Sequence, residues 1–165
     1  MSAESRLHLI SDESRKTIDR WVAKYPADWK RGAMMAALET VQEQNGGYLT
    51  DDLVEAVAEY LGEPAIAAFE VATFYSMYEM DPVGKHKIAV CTNVSCMLCG
   101  SDGIVEHLEK KLGIGLGETT ADGRFTLKEV ECLGACSGAP MFLIGHQYYE
   151  NLTTERVDEI LGQLD

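Results

Sequence analysis

HKIAVCTNVSCMLCG, residues 86–100, is the stretch on which the reading of the chain turns. His86 to Val90 alternates, with Ile88 and Val90 on one side, which predicts a strand ending at Cys91. Cys96 and Cys99 follow in a loop that carries no charged residue from Cys91 to Gly100. Beyond it Ile104, Val105, Leu108 and Leu112 recur at helical spacing, and Gly113-Ile114-Gly115-Leu116-Gly117 closes that helix. Asp122-Gly123 then turns into a strand over 124–131. A second uncharged loop holds Cys132 and Cys136 and ends at Ala139-Pro140, an X-Pro bond at which the cis form costs little. Residues 141–144 and 147–150 are expected to pair as a hairpin around Gly145-His146. Thr153 caps a last helix with Val157, Ile160, Leu161 and Leu164 inward.

The order β-α-β-β-β-α, with an early crossover helix and a late hairpin, is what a small thioredoxin-like sheet gives. Toward the N-terminus, Met80-Asp81-Pro82-Val83-Gly84 is a breaker segment, and before it the periodicity is helical. Ser11 caps a helix carrying Asp12 and Glu13 in its first turn, with Ile18, Trp21, Val22 and Tyr25 on one face and Pro26 as terminator. Met34, Leu38 and Val41 line a second helix that stops at Asn45-Gly46-Gly47. Thr50 caps a third, with Leu53, Val57 and Leu61 inward and Gly62 at its end. Pro64 opens a fourth, whose Ile66, Phe69, Thr73, Phe74 and Met77 run toward Tyr78. The methionine and aromatic stripes of these helices are expected in the core. The fold class is therefore α+β, with a helical bundle over residues 1–82 followed by a thioredoxin-like α/β domain over residues 83–165.

Composition narrows the function. The 165 residues are 46% hydrophobic and 25% charged, the balance of a folded chain. Lys plus Arg number 14 against 27 Asp plus Glu, a formal charge of −13 that repels a phosphate backbone. Six of the basic residues lie between Arg15 and Arg31, whereas from Gly32 to Gly84 there are none and ten acids occur. Nucleic acid and an anionic membrane are thus poor partners, and a long solvated acidic face is the plain reading. The longest uncharged apolar run falls well short of the roughly 20 residues of a spanning helix. Met1 to Ile10 carries Glu4, Arg6 and His8 rather than an apolar signal core, so a cytoplasmic chain is expected.

Five cysteines in a reducing compartment point to metal or redox chemistry before disulfides. Their spacings are C-x4-C-x2-C (Cys91, Cys96, Cys99) and C-x3-C (Cys132, Cys136). Four thiolates from two such loops can hold a [2Fe-2S] cluster or a structural zinc, and Cys96 with Cys99 alone can act as a redox dithiol. The dithiol leaves three cysteines unexplained, and zinc leaves Cys91 idle. A plant-type arrangement uses Cys91, Cys96 and Cys99 with one later cysteine. None of His8, His86, His107 and His146 adjoins a cysteine, which excludes a Rieske centre. The small residues of both loops let backbone N–H groups approach the sulfurs, which favours iron–sulfur. The glycine loop at 113–117 follows a helix and lacks the lysine of a phosphate loop, so it reads as a turn. His107, Glu129 and Glu131 read as solvated.

Val71-Ala72-Thr73-Phe74-Tyr75, Pro82-Val83-Gly84, Cys91-x4-Cys96, the run from Gly117 to Phe125 and the run from Cys132 to Pro140 resemble the thioredoxin-like [2Fe-2S] component of NADH:quinone oxidoreductase, the E subunit of bacterial respiratory complex I. The resemblance covers the chain from about Ser11 onward, with its motifs in the right order at the right distances. It implies Cys91, Cys96, Cys132 and Cys136 as the [2Fe-2S] ligands, which displaces the plant-type set and leaves Cys99 spare. It further implies a one-electron carrier with no catalytic residue of its own. The implied partner subunit holds FMN and the NADH site and trades the electron with this cluster, and the large iron–sulfur subunit is a second expected neighbour. The complex would be peripheral to the inner membrane. Similar subunits serve NAD(P)-linked hydrogenases and formate dehydrogenases. A zinc-stapled interaction module is the alternative from another class.

Overall fold

The computed structural model describes residues 5–164; Glu4 and the start of the segment read above as lacking a signal core lie outside them. The chain divides into two compact units, Met1–Pro82 and Val83–Asp165, each with its own apolar cluster.

The first unit is helical. Ser11 accepts from the Ser14 N–H at 3.2 Å and starts α1 (Asp12–Val22). A 3-10 segment, Ala27–Ala33, leads into α2 (Met34–Gln44). Thr50 accepts from the Leu53 N–H at 3.3 Å to open α3 (Asp51–Leu61), which Gly62 ends in a left-handed conformation. Ile18, Leu38, Val41, Leu49, Val54 and Val57 are sealed in its core.

Two expectations about this unit fail. Trp21 and Tyr25 are exposed rather than inward. Of the apolar stripe expected for α4 (Ala65–Phe74), Phe69 packs half-buried against the core, but Ile66 is 66% and Phe74 79% exposed, and Met77 is exposed as well. The reason is that apolar side chains are spread around α4, with Glu70 its one charged residue, so side-chain size decides which face packs. Ala67, Ala68 and Ala72 are buried, small enough to let the helix lie closely against α3. The helix also stops at Phe74, where Tyr75 turns extended, and Tyr78 returns to the core to donate its hydroxyl to the Met35 carbonyl at 2.8 Å. Burial pushes the Tyr78 hydroxyl well above its ordinary range.

The second unit is a four-stranded sheet of order β2-β1-β3-β4, with β1 (His86–Cys91), β2 (Phe125–Val130), β3 (Phe142–Ile144) and β4 (Gln147–Tyr149). β1 and β2 are parallel, while β1–β3 and β3–β4 are antiparallel. The crossover between the parallel strands carries α5 (Val94–Leu98) and α6 (Ser101–Leu112), and α7 (Thr154–Gln163) ends the unit. Ile88, Val90, Leu108, Leu127, Phe142 and Val157 form its core. The helix α5 falls where a plain loop was expected, because five residues are too few to show a period. Asn93 caps α5, and Gly100 at φ 95° separates it from α6. Gly113, also left-handed, ends α6, and Thr153 caps α7 by accepting from the Arg156 N–H. The 113–117 loop is a turn: the Gly117 N–H bonds the Leu127 carbonyl, and the Glu118 carboxylate accepts from the Gly115 N–H at 2.7 Å.

Candidate metal centre

Parallel pairing of β1 and β2 sets Cys91 opposite Val130, so the loops that leave both strands start side by side. Thr92 extends the ladder by donating to the Val130 carbonyl at 3.1 Å. Cys91 lies at the strand end, donates its N–H to the Met141 carbonyl at 3.2 Å, and points its thiol at the Glu131 carbonyl 3.7 Å away. Cys96 sits on α5, and the Met141 N–H donates to its sulfur. Cys91, Cys96 and Met141 thus form a small buried cluster, over which Leu133, Ala135 and Ala139 of the second loop pack.

Cys132 and Cys136 lie in that second loop and are exposed. Cys132 accepts from the Gly134 N–H at 3.4 Å, and Cys136 opens a 3-10 turn, Cys136–Gly138. The Ala139–Pro140 bond that follows is cis. Cys99 is exposed at the C-terminal end of α5, where its N–H bonds the Ser95 and Cys96 carbonyls. Its sulfur takes no part in the buried Cys91–Cys96–Met141 group.

The donor set is soft and its electrostatics ask for a cation. Burial first, then the hydrogen bond and charge of Cys91 and the charge of Cys136, pushes the Cys96 thiol up to about 11. The Cys96 thiol therefore keeps its proton unless a positive centre takes its place, and neither loop supplies a Lys or Arg. Two buried and two exposed sulfurs, with backbone N–H groups directed at one of each kind, suit an iron–sulfur cluster. The chemistry of this donor set therefore suits the cluster that the resemblance implies.

Sequence reasoning missed two features of the site. The Met141 N–H on Cys96 and the Tyr148 hydroxyl, which donates to the Leu133 carbonyl at 3.1 Å, both come from the hairpin. No motif marks them, since they depend on where the sheet carries β3 and β4. His107, read as solvated, bonds Asp158 at 2.8 Å, and Lys111 reaches the same carboxylate at 3.2 Å, joining α6 to α7.

The thioredoxin-like [2Fe-2S] ferredoxin family model matches residues 18–165. The E subunit of NADH-quinone oxidoreductase from Rickettsia felis is 49% identical over 142 residues, 86% of this chain and 85% of that protein. An E subunit of the same enzyme from Rhizobium meliloti, the one numbered 2, is 45% identical over 147 residues, 89% of this chain and 86% of its own. Among solved structures, an NAD+-reducing [NiFe]-hydrogenase in the air-oxidized state superposes with a TM-score of 0.67 at 23% identity, over 79% of this chain and 22% of that much longer one. That likeness shows the fold alone. By the family model and these relatives, the chain belongs to the thioredoxin-like [2Fe-2S] ferredoxins and, within them, to the family of NADH-quinone oxidoreductase E subunits.

Proposed function

We propose that the chain is the one-electron carrier subunit of an NADH-quinone oxidoreductase, with Cys91, Cys96, Cys132 and Cys136 as ligands of a [2Fe-2S] cluster. The observation that carries this is the meeting of the two uncharged cysteine loops at the C-terminal ends of the parallel strands β1 and β2. When bound, the cluster accepts and returns single electrons, and the chain supplies no catalytic residue of its own. Cys91 and Cys96 form the buried side of the site, screened from water by Met141 and Leu133. Cys132 and Cys136 form the exposed side, the side open to a partner.

That partner is the subunit holding FMN and NADH, with the large iron–sulfur subunit as a second neighbour, and the complex is peripheral to the inner membrane. The close relatives, themselves components of NADH-quinone oxidoreductases, support this assignment. Among the described residues no helix is long and apolar enough to cross a membrane. The test is purification of the chain from its native host under mild conditions. A coloured complex in which the chain co-elutes with a flavin protein and NADH-dependent quinone reduction supports the reading. Recovery of the chain as a colourless zinc protein would favour the stapled interaction module.

A further inference from the structure

Tyr148 lies on β4, opposite Leu143 of β3. Its neighbour Tyr149 packs into the core against Phe142, with ring centroids 5.4 Å apart. Alternation along a strand sends Tyr148 to the other face. There, half exposed, its hydroxyl donates to the Leu133 carbonyl at 3.1 Å. That carbonyl belongs to the peptide unit whose N–H is that of Gly134, and the Gly134 N–H donates to Cys132 Sγ at 3.4 Å. In a trans peptide the C=O and N–H point in opposite directions. A donor fixed on the oxygen therefore aims the nitrogen's hydrogen the other way, here at the sulfur. Gly134 follows at φ 75°, a left-handed conformation that costs other residues energy and that carries the loop on toward Cys136.

We infer that Tyr148 is a positioning residue for the cluster, acting through the Leu133–Gly134 peptide on Cys132. The inference rests on the assignment of Cys132 as a ligand. The hydroxyl does two things to that peptide. It removes the freedom of the peptide plane to rotate away from the sulfur, and it polarises the unit so that the N–H becomes a stronger donor. A hydrogen bond to a ligand sulfur stabilises the more negative, reduced state of a cluster, so Tyr148 raises the reduction potential. The Met141 N–H acts in the same sense on Cys96 from the buried side, but the backbone pairing around it holds it without side-chain help.

Tyr148→Phe keeps the ring and removes only the donor, which makes it the variant of choice in the full chain. At a fixed ambient potential the ratio of reduced to oxidised cluster is expected to fall about threefold, the order of one weakened hydrogen bond. For a one-electron couple that is a midpoint about 30 mV more negative. Titration followed by the paramagnetic signal of the reduced cluster reads only loaded molecules, so incomplete loading of the variant does not affect it. Pulsed resonance after transfer to deuterium oxide gives the second readout, a weaker coupling from the exchangeable proton nearest Cys132. An unchanged midpoint together with an unchanged proton coupling would overturn the role of Tyr148. A wild-type chain without iron or acid-labile sulfide would overturn the cluster assignment itself, a separate outcome.

Discussion

Cys96 and Cys99 stand three positions apart in one loop, and the fold gives their sulfurs opposite surroundings. Cys96 is 2% exposed beneath the second loop with a backbone donor on its sulfur, whereas Cys99 lies at the solvent end of α5. Serine at Cys91, Cys96, Cys132 or Cys136 is expected to abolish or sharply reduce the visible absorbance and iron content of the purified chain, and serine at Cys99 to leave both unchanged. Loss at Cys99 with retention at Cys136 would restore the plant-type ligand set. The cysteine pairs themselves were legible from spacing. Their division into a buried and an exposed pair was not, because Cys91 and Cys96 are covered by Met141 and Leu133, which reach them only through strand order.

Among the elements, local chemistry was legible and choice of face less so. Ser11, Thr50 and Thr153 cap the helices they were expected to cap, since that geometry needs only the nearest N–H groups. The buried face of α4 was not legible because apolar side chains spread around a helix name no face, and three alanines settled it through close packing. Gly84, just before β1, shows how tightly the second unit closes. Its N–H donates to the buried Thr126 hydroxyl at 2.7 Å, and a Cβ there would lie 2.9 Å from the Phe125 backbone. Gly84→Ala is expected to destabilise the unit by about 1–3 kcal/mol, the cost of forcing backbone apart, measured as a lower denaturant midpoint.

The α6–α7 contact adds a pH dependence. The hydrogen bond from His107, then that from Lys111, holds the Asp158 carboxyl below its ordinary range. A lowered folded-state value means that the carboxylate's contribution is present above the ordinary aspartate range and is lost as pH falls through the folded value. Asp158→Asn should therefore lower the melting temperature at neutral pH, and the gap to wild type should close below about pH 3.8. A gap that persists unchanged into acid would show that the carboxylate's charge is irrelevant to the pairing.

At the scale of the molecule, the separate apolar clusters of the two units make a simple expectation testable. A chain beginning at Val83 carries all five cysteines and the whole second core, and it should fold and hold a cluster. It should assemble poorly with the proposed flavin-bearing partner if the exposed Ile66, Phe74 and Met77 of the first unit serve in docking, because they are then missing. Equal recovery of truncated and full chains with the partner would remove docking from the role of the helical unit.

The net charge of −13 and the absence of Lys and Arg from both cysteine loops disfavour adding an electron to an already negative cluster. The amide donors on Cys96 and Cys132 oppose this without supplying a full charge. The most direct test of a cluster held by these loops is a redox titration of the aerobically purified chain, followed by electron paramagnetic resonance. The expected result is a reversible one-electron signal of a reduced [2Fe-2S] cluster, with a midpoint of roughly −400 mV as in plant-type ferredoxins. A colourless chain that gives no signal at any potential would contradict it.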